Sequence, residues 1–85
     1  MKVKLTKRAH KQLKRLDKAV KKRITLYLEE VEKLENPRSR AKLLTGGFAG
    51  LWRFRVGDYR IICDIVDVEL TIYAIEIGHR REIYF

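Results

Sequence analysis

The chain has 85 residues, 46% hydrophobic and 36% charged, and this balance predicts one small globular domain over residues 1–85. Twenty Lys and Arg against eleven Asp and Glu give a net charge of +9, which favours a polyanionic partner such as nucleic acid, an acidic protein segment or an anionic membrane surface. One cysteine excludes an internal disulfide, the two histidines lack metal-ligand spacing, and no apolar run reaches the ~20 residues of a membrane span. We therefore expect a cytoplasmic protein that uses neither a metal nor another cofactor.

The N-terminal part of the chain is predicted to form a strand followed by a helical hairpin. Residues 2–5 alternate lysine with apolar side chains, which is typical of a short strand. Thr6 is a candidate N-cap, apolar residues recur at helical spacing from Ala9 onwards, and Asp17 is a second candidate cap. We expect two helices that break near residues 16–18, with one long bent helix as the alternative.

The middle of the chain is predicted to be irregular. Pro37 ends the helical region, because the residue before a proline is pushed out of the right-handed helical conformation. Residues 36–50 contain three of the five glycines and mark turns, with one turn of helix around residues 40–44 as a further possibility.

The C-terminal part is predicted to be a three-stranded meander over residues 52–56, 59–66 and 70–77, ended by Gly78 and followed by a short tail. The second of these strands is a nearly continuous β-branched run, as expected of a central strand covered on both faces. Together the elements predict an α+β fold in the order β-α-α-β-β-β, with helices packed on one face of an antiparallel sheet.

The positive charge is concentrated in the predicted helical hairpin. Between Lys2 and Arg23 there are eleven basic residues and one acid, Asp17. A run of this kind is most often simply a solvated helix face. Here the excess is large enough to add long-range attraction to polyanions, without indicating any chemistry.

A second basic group lies on the first meander hairpin. Arg53 and Arg55 share the strand face opposite Trp52, and Arg60 begins the neighbouring strand. A hairpin brings these three guanidinium groups toward one surface, and planar guanidinium suits bidentate binding of phosphate. An ordinary solvent-exposed sheet face explains the same residues equally well.

The tail that follows Gly78 adds an imidazole and a phenol to this basic group. Its polar residues are His79, Arg80, Arg81 and Tyr84. An imidazole and a phenol beside arginines suit acid–base chemistry or stacking on a nucleobase. Taken singly, His79 is more simply a turn residue and Tyr84 a hydrophobic lid on the sheet.

Four motifs in succession resemble the RelE/ParE toxin superfamily over essentially the whole chain. They are Asn-Pro at 36–37, Ala-Lys-Leu-Leu-Thr-Gly at 41–46, Leu-Trp-Arg-Phe-Arg-Val-Gly-Asp-Tyr-Arg-Ile-Ile at 51–62 and Ile-Gly-His-Arg-Arg-Glu-Ile-Tyr at 77–84. The resemblance implies a RelE-like fold and a toxin of a type II toxin–antitoxin system. Its RelE branch implies a ribosome-dependent, metal-independent endoribonuclease, in which a ribose 2′-OH attacks the adjacent phosphate of mRNA in the A site.

The resemblance also implies the site residues. The catalytic set comprises Arg53, Arg55, Arg60, His79, Arg80 and Tyr84, and the RNA-binding set comprises Lys11, Lys14, Lys18, Lys21, Lys22 and Arg81. Arg60 would contact the scissile phosphate, Arg80 would act as general acid or stabilise the phosphate, and Tyr84 would stack on the nucleotide. The family has a lysine, a candidate base, where this chain has Arg53. Arginine keeps its proton, so His79 or Tyr84 is expected to handle the proton.

The partners expected from the resemblance are the 70S ribosome with its mRNA and a RelB-like antitoxin in a hetero-oligomer. The net charge of +9 on this chain favours an acidic neutralising segment in that antitoxin. The main alternative function is that of the ParE branch, which has the same fold but inhibits DNA gyrase without being an enzyme.

Overall fold

The computed structural model describes residues 1–81 and consists of a five-stranded sheet with two helices on one face. The strands are β1 (Lys2–Leu5), β2 (Lys42–Leu43), β3 (Trp52–Val56), β4 (Tyr59–Val66) and β5 (Thr71–His79). The helices are α1 (Lys7–Lys14) and α2 (Lys18–Lys33), and short 3-10 helices cover Pro37–Arg40, Gly46–Phe48 and Asp67–Glu69. The sheet order is β1-β5-β4-β3-β2. The α+β class and the order of the major elements are therefore confirmed.

The helical hairpin forms as two separate helices, which confirms that prediction. The Thr6 hydroxyl accepts a hydrogen bond from the amide of Ala9 at 3.2 Å and caps α1. Asp17 is the N-cap of α2 by position, but its side chain makes no capping hydrogen bond. Buried Ile24, Leu28 and others in α2 recur every three or four residues, so one stripe of the helix faces the sheet.

The sheet is mixed, whereas the sequence predicted an antiparallel one. β1 pairs in parallel with β5, with Val3 opposite Ile72, and all other neighbours are antiparallel. Alternation of apolar and polar residues decides which side chains face the core, but it carries no information about the direction of a distant partner strand. The expectation was therefore wrong for this edge strand alone.

Two boundaries also differ from the sequence prediction. Residues 40–44 form no helical turn: Pro37–Arg40 is a 3-10 helix, and β2 follows it. β5 runs through Gly78 to His79 instead of ending before the glycine, because Gly78 pairs with Arg60 in the β4–β5 ladder. A strand held by ladder hydrogen bonds tolerates a glycine that propensity alone treats as a stop.

The sheet buries side chains on both faces, unequally. The main core lies between sheet and helices and includes fully buried Phe54, Ile61 and Ile72. A smaller cluster on the opposite face joins Leu44 to Ile62, with the partly buried side chains of Phe48, Leu51 and Ile75 around it. This second cluster covers only part of that face, which leaves the β3–β4 hairpin end to polar residues. Over residues 1–81, none of the helices has the length and apolar character needed to cross a membrane.

Candidate functional site

The β3–β4 hairpin brings three arginines to the sheet face that the helices do not cover. Gly57 adopts φ +59° at the first position of a two-residue turn, a conformation that glycine adopts without steric cost. The resulting register places Arg55 directly opposite Arg60. Arg53 lies two residues before Arg55 and so shares its face. We call these three residues the arginine face, and the structure brings them together as the sequence predicted.

The arginine face concentrates positive charge on two paired strands. Like charges directly opposite each other across an antiparallel pair are destabilising, and Arg55 and Arg60 are such a pair. Partial burial, followed by the charges of Arg60 and Arg55, lowers the pKa of Arg53 from its ordinary value. The guanidinium nevertheless stays protonated at neutral pH. The three groups thus form a positive surface suited to an oxyanion.

Apolar side chains border the arginine face on one side. Arg53 is opposite Ile62, which packs against Leu44 in the smaller hydrophobic cluster. On the other side Arg60 is opposite Gly78, which presents no side chain. An anion bound here would therefore meet guanidinium groups beside an apolar cluster.

A β-bulge changes the pairing around one acid, Glu76, and sequence reasoning missed it. The register shifts between Ile62 and Cys63, so that Ile62 is opposite Glu76 and Ile75 is left unpaired. Arg8 of α1 binds the Glu76 carboxylate with two nitrogens, at 2.6 and 3.2 Å. The spacing in residues 71–77 gave no signal, because a bulge is invisible to a pattern of period two.

His79 lies apart from the arginine face. It is opposite Tyr59, which packs against the helix-side core, and the two rings meet edge to face with centroids 5.4 Å apart. The His79 Nδ1 accepts a hydrogen bond from the amide of Arg81 at 3.2 Å. Because neighbouring positions in a strand point to opposite faces, the register that puts Gly78 beside Arg60 directs His79 away from it.

The remaining tail candidates lie at or beyond the end of β5. The Arg80 amide donates to the Asp58 carbonyl at 2.8 Å, and its Nε lies 3.9 Å from the Asp58 carboxylate. Arg80 is thus held at the hairpin end of the sheet, beside the turn. Arg81 is exposed in the turn that follows, and Tyr84 lies outside the described residues.

The predicted RNA-binding lysines form a separate region, which we call the lysine surface. It comprises Lys11, Lys14, Lys18, Lys21 and Lys22, of which all but the partly buried Lys21 are exposed. These residues belong to α1 and α2, whose inner stripes pack on the opposite side of the sheet from the arginine face. The structure therefore separates the two basic regions that the sequence identified. Within residues 1–81, no group of three or more His, Cys, Asp or Glu is arranged to hold a metal ion.

Several solved structures have this fold. The toxin–antitoxin complex RelBE2 from Mycobacterium tuberculosis contains a chain with 24% identity and a TM-score of 0.84, with 93% of this chain and 96% of that chain covered. An archaeal RelE–RelB complex from Pyrococcus horikoshii contains a chain with 29% identity and a TM-score of 0.75. The match covers 96% of this chain and 97% of that chain. A YoeB/ParE toxin from Agrobacterium tumefaciens has 17% identity and a TM-score of 0.73. The match covers 93% of this chain and 98% of that chain. No curated protein sequence matches the chain.

The family model for the ParE toxin of the type II toxin–antitoxin system parDE matches residues 3–84, nearly the full chain. This match agrees with the structural similarity to RelE proteins, and the resemblance inferred from the motifs is confirmed. The chain therefore belongs to the ParE toxin family, within the RelE/ParE superfamily, and is a toxin of a type II toxin–antitoxin system.

Proposed function

We propose that this toxin is a ribosome-dependent endoribonuclease of the RelE type, which cleaves mRNA in the A site without a metal. The observation that carries the proposal is the direct opposition of Arg55 and Arg60 with Arg53 beside them. Three phosphate-binding groups gathered on one surface suit an anionic substrate. An archaeal RelE with 29% identity is among the proteins of the same fold.

The arginine face supplies electrostatic stabilisation in the proposed reaction. The ribose 2′-oxygen attacks the adjacent phosphorus and forms a 2′-O–P bond, while the bond from phosphorus to the 5′-oxygen breaks. The products are a 2′,3′-cyclic phosphate and a 5′-hydroxyl. Charge builds on the phosphate oxygens as the 2′-oxygen attacks, and Arg53, Arg55 and Arg60 would stabilise it through charge-assisted hydrogen bonds. Arg80 would join them by leaving its long, 3.9 Å contact with Asp58.

Proton transfer requires a different group, because arginine does not give up its proton near neutral pH. His79 is oriented toward Tyr59, on the other side of the sheet. We therefore assign the transfer to Tyr84, whose phenol would take the proton of the 2′-hydroxyl and give its own proton to the leaving 5′-oxygen. His79→Ala should consequently leave the cleavage rate close to that of the parent.

The lysine surface would bind ribosomal RNA phosphates, with Arg81 as a further contact. Its residues carry charge but no group suited to proton transfer at neutral pH, so we give it a role in binding alone. The ribosome would hold the mRNA in a reactive geometry and so compensate for the missing strong base. A ribosomal substrate also implies a cytoplasmic site of action.

The proposed protein partner of this toxin is a RelB-like antitoxin with an acidic neutralising segment. Structures of related toxins contain RelB antitoxins, and the net charge of +9 favours an acidic partner. Association should slow as salt rises, because screening weakens long-range attraction. An antitoxin whose neutralising segment is basic would contradict this part of the proposal.

The proposed function is tested by cleavage of mRNA on programmed ribosomes. A-site cuts that end in a cyclic phosphate, and that are lost in Arg60→Ala, are the expected result. An intact mRNA together with unimpaired translation would reject the proposal.

Gyrase inhibition is the second candidate, because the matching family model is that of the ParE toxin. The two functions separate in a supercoiling assay with purified gyrase. We expect no inhibition at concentrations that stop translation. Inhibited supercoiling without mRNA cleavage would transfer the assignment to the ParE branch.

A further inference from the structure

A cavity of about 320 Å³ lies where α2 meets the β3–β4 turn, beside the arginine face. We call it the Arg23 cavity, and it is lined by Arg23, Leu26, Tyr27, Glu30, Arg55, Val56 and Gly57. Arg55 belongs to both the cavity and the arginine face. The two are therefore contiguous, although α2 lies on the other side of the sheet.

The cavity lies beside the part of β3 that β2 does not pair with. β2 pairs only with Trp52 and Arg53, so within residues 1–81 β3 is an edge strand over residues 54–56. Arg55 belongs to this part of β3 and lines the cavity together with residues of α2.

Glycine at position 57 also allows the close approach of Arg23. A Cβ at Gly57 would lie 2.9 Å from one terminal nitrogen of Arg23 and 3.3 Å from Cζ. The Arg23 guanidinium thus covers the tight turn and lies in the same cavity as Arg55. Two arginines from elements distant in sequence therefore line one cavity.

The residues that line the cavity carry a net positive charge. Glu30 is the single acid among its lining residues, and Arg40 binds the Glu30 carboxylate at 3.2 Å. Leu26, which is 50% exposed, and the half-buried Tyr27 add apolar surface beside the two guanidinium groups. A phosphate linked to an apolar ring system fits this combination, and a nucleotide of single-stranded RNA has both parts.

We propose that the Arg23 cavity is a second RNA subsite, which binds a phosphodiester flanking the scissile one. Arg23 and Arg55 hold the phosphate, and Leu26 and Tyr27 contact its ribose or base. The inference rests on the proposed function, because it takes the arginine face as the place of cleavage. It adds a path for the RNA strand, which continues from the arginine face around the open edge of β3 toward α2.

The test is equilibrium binding of a short fluorescein-labelled RNA in which every ribose is 2′-O-methylated, so that it binds but has no attacking hydroxyl. Arg23→Gln should weaken binding about tenfold, as expected for one charge-assisted contact. Arg15→Gln removes the same charge on the exposed end of α1, outside the cavity, and should change affinity less than about twofold. Glu30→Gln should tighten binding, because it removes the acid from the cavity.

Equal losses in Arg23→Gln and Arg15→Gln would overturn the proposal, since they would show a general effect of charge. Weaker binding by Glu30→Gln would overturn it as well. An acidic partner segment is the rival occupant, so an octaglutamate peptide is measured in parallel. If Arg23→Gln weakens peptide binding and leaves RNA binding intact, the cavity is a protein-binding site. This assay involves no cleavage, so failure of the proposed function on ribosomes would remain separately visible.

Discussion

The arginine face and the lysine surface carry the same sign of charge but differ in how the fold holds them. Arg53, Arg55 and Arg60 are fixed by a strand register and lie close together on a sheet. The residues of the lysine surface extend from two helices, mostly exposed, on flexible side chains. Fixed, planar donors can match the geometry of a reacting phosphate, whereas mobile ammonium groups mainly add affinity. Concentration of charge alone therefore does not distinguish a reaction centre from a binding surface.

The rate of the chemical step tests this difference between the arginine face and the lysine surface most sharply. Arg60→Ala should lower kcat for mRNA cleavage about 10²–10³-fold, the usual effect of removing one donor to a transition-state oxyanion. Arg60→Lys is the matched control, since it keeps the charge but loses the bidentate geometry, and it should recover only part of the rate. Full activity in the lysine variant would show that charge without geometry suffices.

Substitutions on the lysine surface should change KM. Reversing Lys11, Lys14 and Lys18 to Glu should raise KM for programmed ribosomes at least about tenfold, because several phosphate contacts are lost, while kcat stays within about twofold. The slope of log KM against log salt should also become shallower. A fall in kcat at unchanged KM would erase the distinction between the two regions.

The smallest expected effect is on stability. The same substitution should stabilise the fold and slow the reaction. Arg55→Gln removes the like-charge pair with Arg60 and should raise the free energy of unfolding by about 0.5 kcal/mol in urea titrations. The same variant should cleave mRNA more slowly. Lys22→Gln on exposed α2 is the control and should leave stability nearly unchanged. A destabilised Arg55→Gln variant would mean that the arginine face contributes to folding.

Much of the fold follows from local chemistry. The Thr6 cap was predictable because a capping side chain acts on adjacent backbone, and the end of the helical region before Pro37 was predictable because proline disfavours the helical conformation of the residue before it. The break between α1 and α2 forms at the predicted place, although the Asp17 side chain makes no capping hydrogen bond. The arginine face was predictable because a two-residue turn at Gly57 determines the register of the strands on both sides.

The remaining features depend on contacts between distant segments. The parallel pairing of β1, the bulge that turns Glu76 toward Arg8 and the convergence of Arg23 with Arg55 join residues far apart in sequence. The sequence by itself determined the elements, the sign and clustering of charge and the hairpin that aligns the arginines, since each depends on neighbouring residues. Only the tertiary structure decided that His79 lies away from the arginines and that α2 adds Arg23 beside them. Strand register and helix docking, and not spacing along the chain, determine which side of a sheet a distant residue reaches.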